Sequence, residues 1–588
     1  MGVKLTELIF RDAHQSTLAT RMRTEDMLPI CETIDKVGFF SLEVWGGATF
    51  DVPIRYLNQD PWERLKLLKE KIKDTPLQML ERAMNIVAYR NFPDDVVEKF
   101  IFYAKKDGID VFRIFDALND IRNMEVPIKA AKKVGGHVQG SLSYTISPVH
   151  TVERYVEDFK KLEQLGCDSL CIKDMAGMIT PTRAYEIISG CKKAGIKIPI
   201  DLHSHATSGM TGMAYMEAVE AGVNVLDTAM SPISGGTGHL ATESVVAALK
   251  DTKYDTGYDM NLLMECRKYF LKIWDKYAHL HRETAMKVDP SVTVHQIPGG
   301  MLSNLLFQLE QQGASDKYQE VLEETPRVRK ELGYPPLVTP TSQVIGVQAV
   351  MNVLFGRYNK IPQQTKDYVK GMYGRPPGEI SEEIYEKVLG KNWKDEIVTC
   401  RPADLLEPEF EKRREELKKM GLLKKEEDAL TYAIYPEVGL KFLKGEIKPE
   451  FTSDQLPLKK QIAVPKEVSK TGEISKEPRT YTVEVDGQSY KVKIQDGSEN
   501  IAVSETKPAV TSKPAGGPTV DVKSPMLGTV NKILVNIGDK VEKGDKIAVL
   551  EAMKMESDVV APQAGTISDI LVSPGQQVEA NAVIAKIG

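Results

Sequence analysis

His203 and His205, in Asp201-Leu202-His203-Ser204-His205, stand two residues apart. On a strand that spacing puts both imidazoles on one face, where they can reach a single ion. Asp12, after an early apolar run, can add a carboxylate oxygen. Two imidazoles and an oxygen ligand suit zinc, manganese, cobalt or iron, and ligand type alone does not choose among them. Lys173 closes the run Cys171-Ile172-Lys173. A lysine buried at a strand end has its pKa lowered by desolvation, and the neutral amine can form a Schiff base or capture CO₂ as a carbamate. Arg113, in Phe112-Arg113-Ile114-Phe115-Asp116, offers a planar fork for a carboxylate substrate, or an ion pair to Asp116. Lys554 lies in Glu551-Ala552-Met553-Lys554-Met555-Glu556-Ser557, between two copies of one half-motif, and is read as the attachment point of a carried cofactor.

Positioning these groups falls to a regular series of elements. Apolar runs at Leu5–Phe10, Ser41–Trp45, Leu77–Leu80, Val111–Phe115, Val138–Leu142, Ser169–Ile172, Ile198–Leu202 and Asn224–Leu226 recur, each followed by an amphipathic stretch. Strand and helix alternating eight times predict an α/β fold, a (β/α)₈ TIM barrel over 1–260. In such a barrel the site lies at the C-terminal strand ends. Asp12, His14, Arg113, Asp116, Tyr144, Lys173, Asp174, His203, His205 and Thr237 all fall on that rim.

Beyond the barrel, 261–445 read as a mostly helical extension, with Leu262–Ile273 and Ser342–Leu354 the clearest helices. Residues 446–502 form a small β-rich piece whose Asp486-Gly487 step is a hairpin signal. The Pro, Ser, Thr, Lys and Gly of 503–519 make a flexible tether. In 520–588 an internal repeat is plain: Pro525 and Pro562, Gly528 and Gly565, Val541 and Val578, Ile547 and Ile584 are each 37 residues apart. Two such curled halves bury their apolar faces only against one another, as an all-β flattened barrel with Lys554 in the joining hairpin.

Net charge is −6 across 588 residues, which calls for no nucleic-acid partner. The cysteines at 31, 167, 171, 191, 266 and 400 make no CxxC pair or disulfide framework, as suits a reducing cytosol. No apolar run approaches a membrane span.

The last seventy or so residues resemble a biotinyl domain, with Met553-Lys554-Met555 as that family's mark. The rest resembles the carboxyltransferases that act on pyruvate and oxaloacetate. The resemblance rests on Arg11-Asp12-Ala13-His14-Gln15-Ser16, Trp45-Gly46-Gly47-Ala48-Thr49-Phe50-Asp51, Phe112-Arg113-Ile114-Phe115-Asp116, Ile172-Lys173-Asp174, His203-Ser204-His205, Ile297-Pro298-Gly299-Gly300-Met301 and Thr339-Pro340-Thr341-Ser342-Gln343. It implies biotin on Lys554, placed there by a biotin protein ligase. It also implies a divalent metal (zinc, manganese or cobalt) on Asp12, His203, His205 and carbamylated Lys173. Gln15, Arg113, Asp51 and Tyr144 are the implied substrate contacts, and Thr237 the proton shuttle. The implied reaction is oxaloacetate + enzyme-biotin ⇌ pyruvate + carboxybiotin.

Within the family, Gly238-His239 in place of a Ser-Gln-Pro stretch leans toward the alpha subunit of oxaloacetate decarboxylase or the central subunit of transcarboxylase, and the fused biotinyl domain counts against the second. The alternative is the biotin-bearing carboxyltransferase subunit of two-subunit pyruvate carboxylase; a biotin-independent barrel enzyme of the aldolase kind ranks below both, because Lys554 and its domain count against it. No ATP-binding region is recognisable, so a separate partner is expected: a membrane decarboxylase subunit or a biotin carboxylase subunit. A cytoplasmic homo-oligomer, reaching the membrane only through a partner, is the corresponding expectation. Leu80-Glu81-Arg82-Ala83-Met84-Asn85 departs from the Leu-Arg-Gly-x-Asn of the family and leaves local barrel contacts in question.

Overall fold

Eight parallel strands close on themselves in chain order: β1 Lys4–Glu7, β2 Ser41–Gly46, β3 Leu77–Glu81, β4 Val111–Phe115, β5 His137–Ser143, β6 Ser169–Asp174, β7 Ile200–Ser204 and β8 Val225–Thr228. Closure is made by β1 on β8, with Lys4 opposite Val225 and Glu7 opposite Thr228. The computed structural model describes residues 2–298, 309, 314–456, 479–485, 488–494, 520–525, 528–552, 555–579 and 581–588. The all-parallel order follows from the sequence pattern, because each strand is followed by a crossover that covers the outer face and leaves nearly every strand residue buried.

β1 is shorter than its apolar run. Pairing stops at Glu7, and the chain enters a π-helical turn, Ile9–Ala13, in which Ile9 and Phe10 are buried without belonging to the sheet. An apolar run reports burial, and a short one does not separate strand from buried turn. Such turns often sit at functional sites, and this one carries Arg11 and Asp12.

The expected helices extend over Met260–Lys276 and Thr341–Phe355. The first packs into the barrel core with Leu263, Cys266, Phe270 and Ile273. The second centres another apolar cluster, shared with helices Tyr318–Glu331, Gln363–Lys370 and Glu382–Leu389. Arg329 ties that cluster to the barrel rim, donating to Thr145 Oγ1 at 2.8 Å and to the Ile146 carbonyl at 3.0 Å. On the far side, Trp45 of β2 stacks on Phe100 and meets Trp62, whose indole N–H donates to Thr431 of helix Glu426–Ile434.

The chain divides into two compact units, the second containing Lys460–Leu550 and Asp558–Gly588. In it, strands Arg479–Val485 and Gln488–Ile494 pair antiparallel around the Asp486-Gly487 step, which lies outside the described residues. So does the 503–519 tether. Two four-stranded sheets follow: Val520–Lys523, Val583–Ile587, Gly565–Ile570 and Lys540–Val541 in one, Met555–Val560, Lys546–Ala552, Gly528–Ile533 and Gln577–Val578 in the other. Repeat-related pairs Val530 and Ile567, Val541 and Val578, and Ile547 and Ile584 all enter one apolar core. Neither half has a core without the other.

Candidate functional site

Asp12, His203, His205 and His239 offer four ligand atoms that all lie within 4.8 Å of one another, each residue buried. Asp12 comes from the turn after β1, His203 from β7, His205 from just beyond it, and His239 from the segment after β8. Asp12 Oδ2 stands 3.5 Å from His203 Nε2, 3.9 Å from His205 Nε2 and 3.8 Å from His239 Nε2. Lys173 Nζ lies 3.7 Å from the same oxygen and 2.9 Å from His203 Nε2.

Hydrogen bonds orient the first two imidazoles. His203 Nδ1–H donates to Asp227 Oδ2 at 2.6 Å, and His205 Nδ1–H to the Thr237 carbonyl at 2.6 Å. In each ring Nε2 keeps its lone pair toward Asp12, the tautomer a metal ligand needs. Burial holds all three imidazoles below the ordinary histidine range, so they are neutral donors. Burial also lowers Lys173, against the Asp12 and Glu43 carboxylates, which favour its charge. Burial would raise the Asp12 carboxyl, but the Arg11 guanidinium and Lys173 outweigh it and hold the group well below the usual range. His205 Nε2 and both nitrogens of His239 are buried and have no hydrogen-bond partner. Buried polar atoms are rarely left so, and the donor set of one carboxylate and neutral imidazoles fits a divalent ion.

Arg113 is placed differently from the expected open fork. It is fully buried inside the barrel, where its donors go to Gln139, to Asp201 at 2.7 Å and to both oxygens of Asp227. Asp116 is not its partner; that carboxylate accepts from the backbone of Leu118 and Asp120 and from the Asn123 side chain. The physical reason is register: strand residues 43, 113, 139, 201 and 227 share the barrel interior, and a buried guanidinium takes the carboxylates it finds there. Asp201, raised by burial and then by the Asp227 charge, shares this network.

Arg11 lies nearer the ligands, 2.9 Å from Asp12 Oδ2 and 3.2 Å from Glu43. A side-chain carbon at Gly47 (φ +56°) would stand 2.6 Å from Arg11 Nη2, 3.3 Å from Arg82 Nη2 and 3.5 Å from Gln15 Oε1. Two guanidinium groups and one amide thus border the same small space. Thr237 Oγ1 donates to the Ser16 carbonyl at 3.2 Å. The structure does not gather Asp51 and Tyr144 into the cluster: Asp51 pairs with Arg55, and Tyr144 stacks on Tyr155. His14 Nε2–H donates to the Phe10 carbonyl at 2.9 Å, as a core histidine. Lys554 lies outside the described residues; strands Lys546–Ala552 and Met555–Val560 flank it.

Sequence reasoning missed Arg11, Asp227 and His239 as members of the site. Each had a signal: Arg11 adjoins Asp12, Asp227 falls just after the expected eighth strand, and His239 is two residues past Thr237.

A parallel barrel with a ligand cluster on its C-terminal rim, in one chain with a two-fold β-domain, defines a barrel enzyme fused to a carrier domain. Residues 3–269 match the family described as HMGL-like, 292–502 the conserved carboxylase domain, and 520–587 the biotin-requiring enzyme family. A pyruvate carboxylase subunit of Methanocaldococcus jannaschii is 56% identical over 94% of each chain. The 2-oxoglutarate carboxylase large subunit of Hydrogenobacter thermophilus is 44% identical over 95% of this chain and 90% of its own. The carboxyl transferase domain of Rhizobium etli pyruvate carboxylase, solved with pyruvate and biocytin, superposes with a TM-score of 0.72 at 31% identity, covering 84% of this chain and 88% of that one. The chain belongs to the biotin-dependent carboxyltransferases of the pyruvate carboxylase type. Its cofactor is covalent biotin, and the buried cluster fits a divalent metal. Among the described residues no helix is long and apolar enough to cross a membrane.

Proposed function

We propose that this chain is the carboxyltransferase subunit of a two-subunit pyruvate carboxylase, forming oxaloacetate from pyruvate with a carboxyl group delivered by biotin on Lys554. The reading is carried by one observation: the relative matched along nearly its whole length at 56% identity is a subunit of a pyruvate carboxylase. The expectation that puts oxaloacetate decarboxylase first is replaced by its alternative. That expectation rests on Gly238-His239, and a residue in a site that serves a reversible reaction in both directions does not report direction.

Asp12, His203, His205 and Lys173 as its carbamate hold the metal in this reading; burial favours the neutral amine that CO₂ requires, with one proton released per carbamate formed. When bound, the ion supplies a fixed positive charge; biotin, when attached, supplies the carboxyl group and takes up the proton that pyruvate loses. Arg11, Arg82 and Gln15 meet beside Gly47, and in this reading they supply donors for the substrate's carboxylate and oxo group. As the methyl C–H bond breaks, negative charge moves onto the enolate oxygen, and preorganised cations lower the cost of that charge. Arg113 contributes from below, as a buried cation seated on Asp227. Thr237 Oγ1 accepts the methyl proton while giving up its own, a relay that needs no free acid. A separate biotin carboxylase subunit recharges the carrier.

Reconstitution tests this. Purified biotinylated chain, a biotin carboxylase subunit, ATP, labelled bicarbonate and pyruvate should yield labelled oxaloacetate, abolished by avidin. Carboxylation of 2-oxoglutarate and not of pyruvate would replace the substrate.

A further inference from the structure

His239 reaches the cluster without a motif that announces it, and its surroundings account for no other use. The ring is fully buried, and neither nitrogen has a hydrogen-bond partner. Its position is fixed by the backbone: His239 bridges antiparallel to His205, its carbonyl accepts from Gly235 N at 2.8 Å, and the Gly238 carbonyl accepts from Ala206 N at 2.8 Å. The ring centroid lies 4.2 Å from that of His205 and 4.8 Å from that of His203.

Three Nε2 atoms thus stand at 3.5, 3.9 and 3.8 Å from one carboxylate oxygen. Ligands held about 2.0–2.1 Å from a zinc-type ion stand about 3.4 Å apart in a tetrahedron. His239 meets that separation from Asp12 as well as His205 does, and the four donor atoms, all within 4.8 Å of one another, close by up to about 1.4 Å to share one ion at that spacing. A burial this complete of an imidazole with both nitrogens unpaired costs free energy, which a metal bond would offset.

We infer that His239 is itself a metal ligand, so that three imidazoles and Asp12 hold the ion before the Lys173 carbamate is counted. This rests on the metal-binding reading above and adds a consequence to it: metal retention does not depend on carbamylation. The carbamate is then an added donor that adjusts charge at the site, and its loss leaves four protein ligands in place.

X-ray absorption on the full-length, metal-loaded protein tests the inference, since imidazole scattering counts the histidines directly. Three imidazoles per ion are expected in the wild type, falling to two in His239→Gln, with metal lost to a chelator about tenfold faster or more. Lys173→Ala should keep one ion per chain, and the double variant should lose it. Two imidazoles in the wild type would overturn the inference while leaving the metal reading intact. A Lys173→Ala protein without metal would also overturn it, and no metal in any form would end both readings.

Discussion

At the residue scale, two of the three neutral imidazoles in the cluster are each oriented by a specific neighbour. Asp227 and the Thr237 carbonyl take the Nδ1 protons of His203 and His205, and burial keeps the rings uncharged. Thr237 therefore has two separable parts, a carbonyl that orients His205 and a hydroxyl that donates to the Ser16 carbonyl and is the relay proposed above. Thr237→Ala keeps the carbonyl, so metal content should stay normal while avidin-sensitive exchange between pyruvate and oxaloacetate falls at least about a hundredfold. Wild-type exchange in that variant would remove the relay.

Glu7, fully buried, gives a prediction about pH. Burial, helped by the Glu243 charge, pushes its carboxyl up to about 8 despite hydrogen bonds from Thr242 Oγ1 and the backbone of Ile9 and Met230. Between about 4.5 and 8 the folded chain holds a proton that the unfolded chain has lost, so this group's contribution to stability declines as pH rises through that window. Glu7→Gln should remove the dependence. Denaturation midpoints measured from pH 5 to pH 9 should move progressively in the variant's favour; a constant offset would contradict the assignment.

At the scale of elements, the loops after β2 and β6 hold the site by close backbone approach. Gly177, at φ +70°, has room for no side chain: a Cβ would lie 2.4 Å from the His205 carbonyl oxygen. Gly177→Ala should displace the end of β7 and cut metal affinity about ten- to a hundredfold, the range seen when the groups that orient a ligand are disturbed. Unchanged affinity by chelator competition would mean the loops adjust independently. The departure after β3 has a structural counterpart as well. Ala83 and Ile86 both take positive φ, at +40° and +52°, and Glu81 is buried with neither oxygen hydrogen-bonded, its carboxyl raised well above the usual range by burial. The sequence flagged this segment, and the strain is confined to the turn while β3 keeps its pairing with β4.

At the scale of the molecule, the carrier domain has its own core, with Val530, Ile547, Ile567 and Ile584 buried in it. A tether confers effective concentrations of the order of millimolar. A chain ending at 502 should therefore keep its metal and lose avidin-sensitive exchange. A biotinylated 520–588 fragment added in trans should restore exchange only as its concentration approaches that range. Full rates at micromolar fragment would assign the tether no kinetic role.

The sequence alone determined the barrel, the two-fold carrier and the pairing of His203 with His205, because each is written in a period: strand and helix in alternation, a 37-residue repeat, two residues along a strand. Asp12 was legible too, as a carboxylate just past an early apolar run, although the strand itself ends at Glu7 and a π-helical turn carries Asp12 to the site. What only the tertiary structure decided was which side chains meet across the closed barrel. Arg113 turned inward to Asp201 and Asp227, and His239 came in beside His205, through register between elements far apart in the chain. No local spacing encodes such contacts, because barrel closure sets them, and closure is a property of all eight strands together.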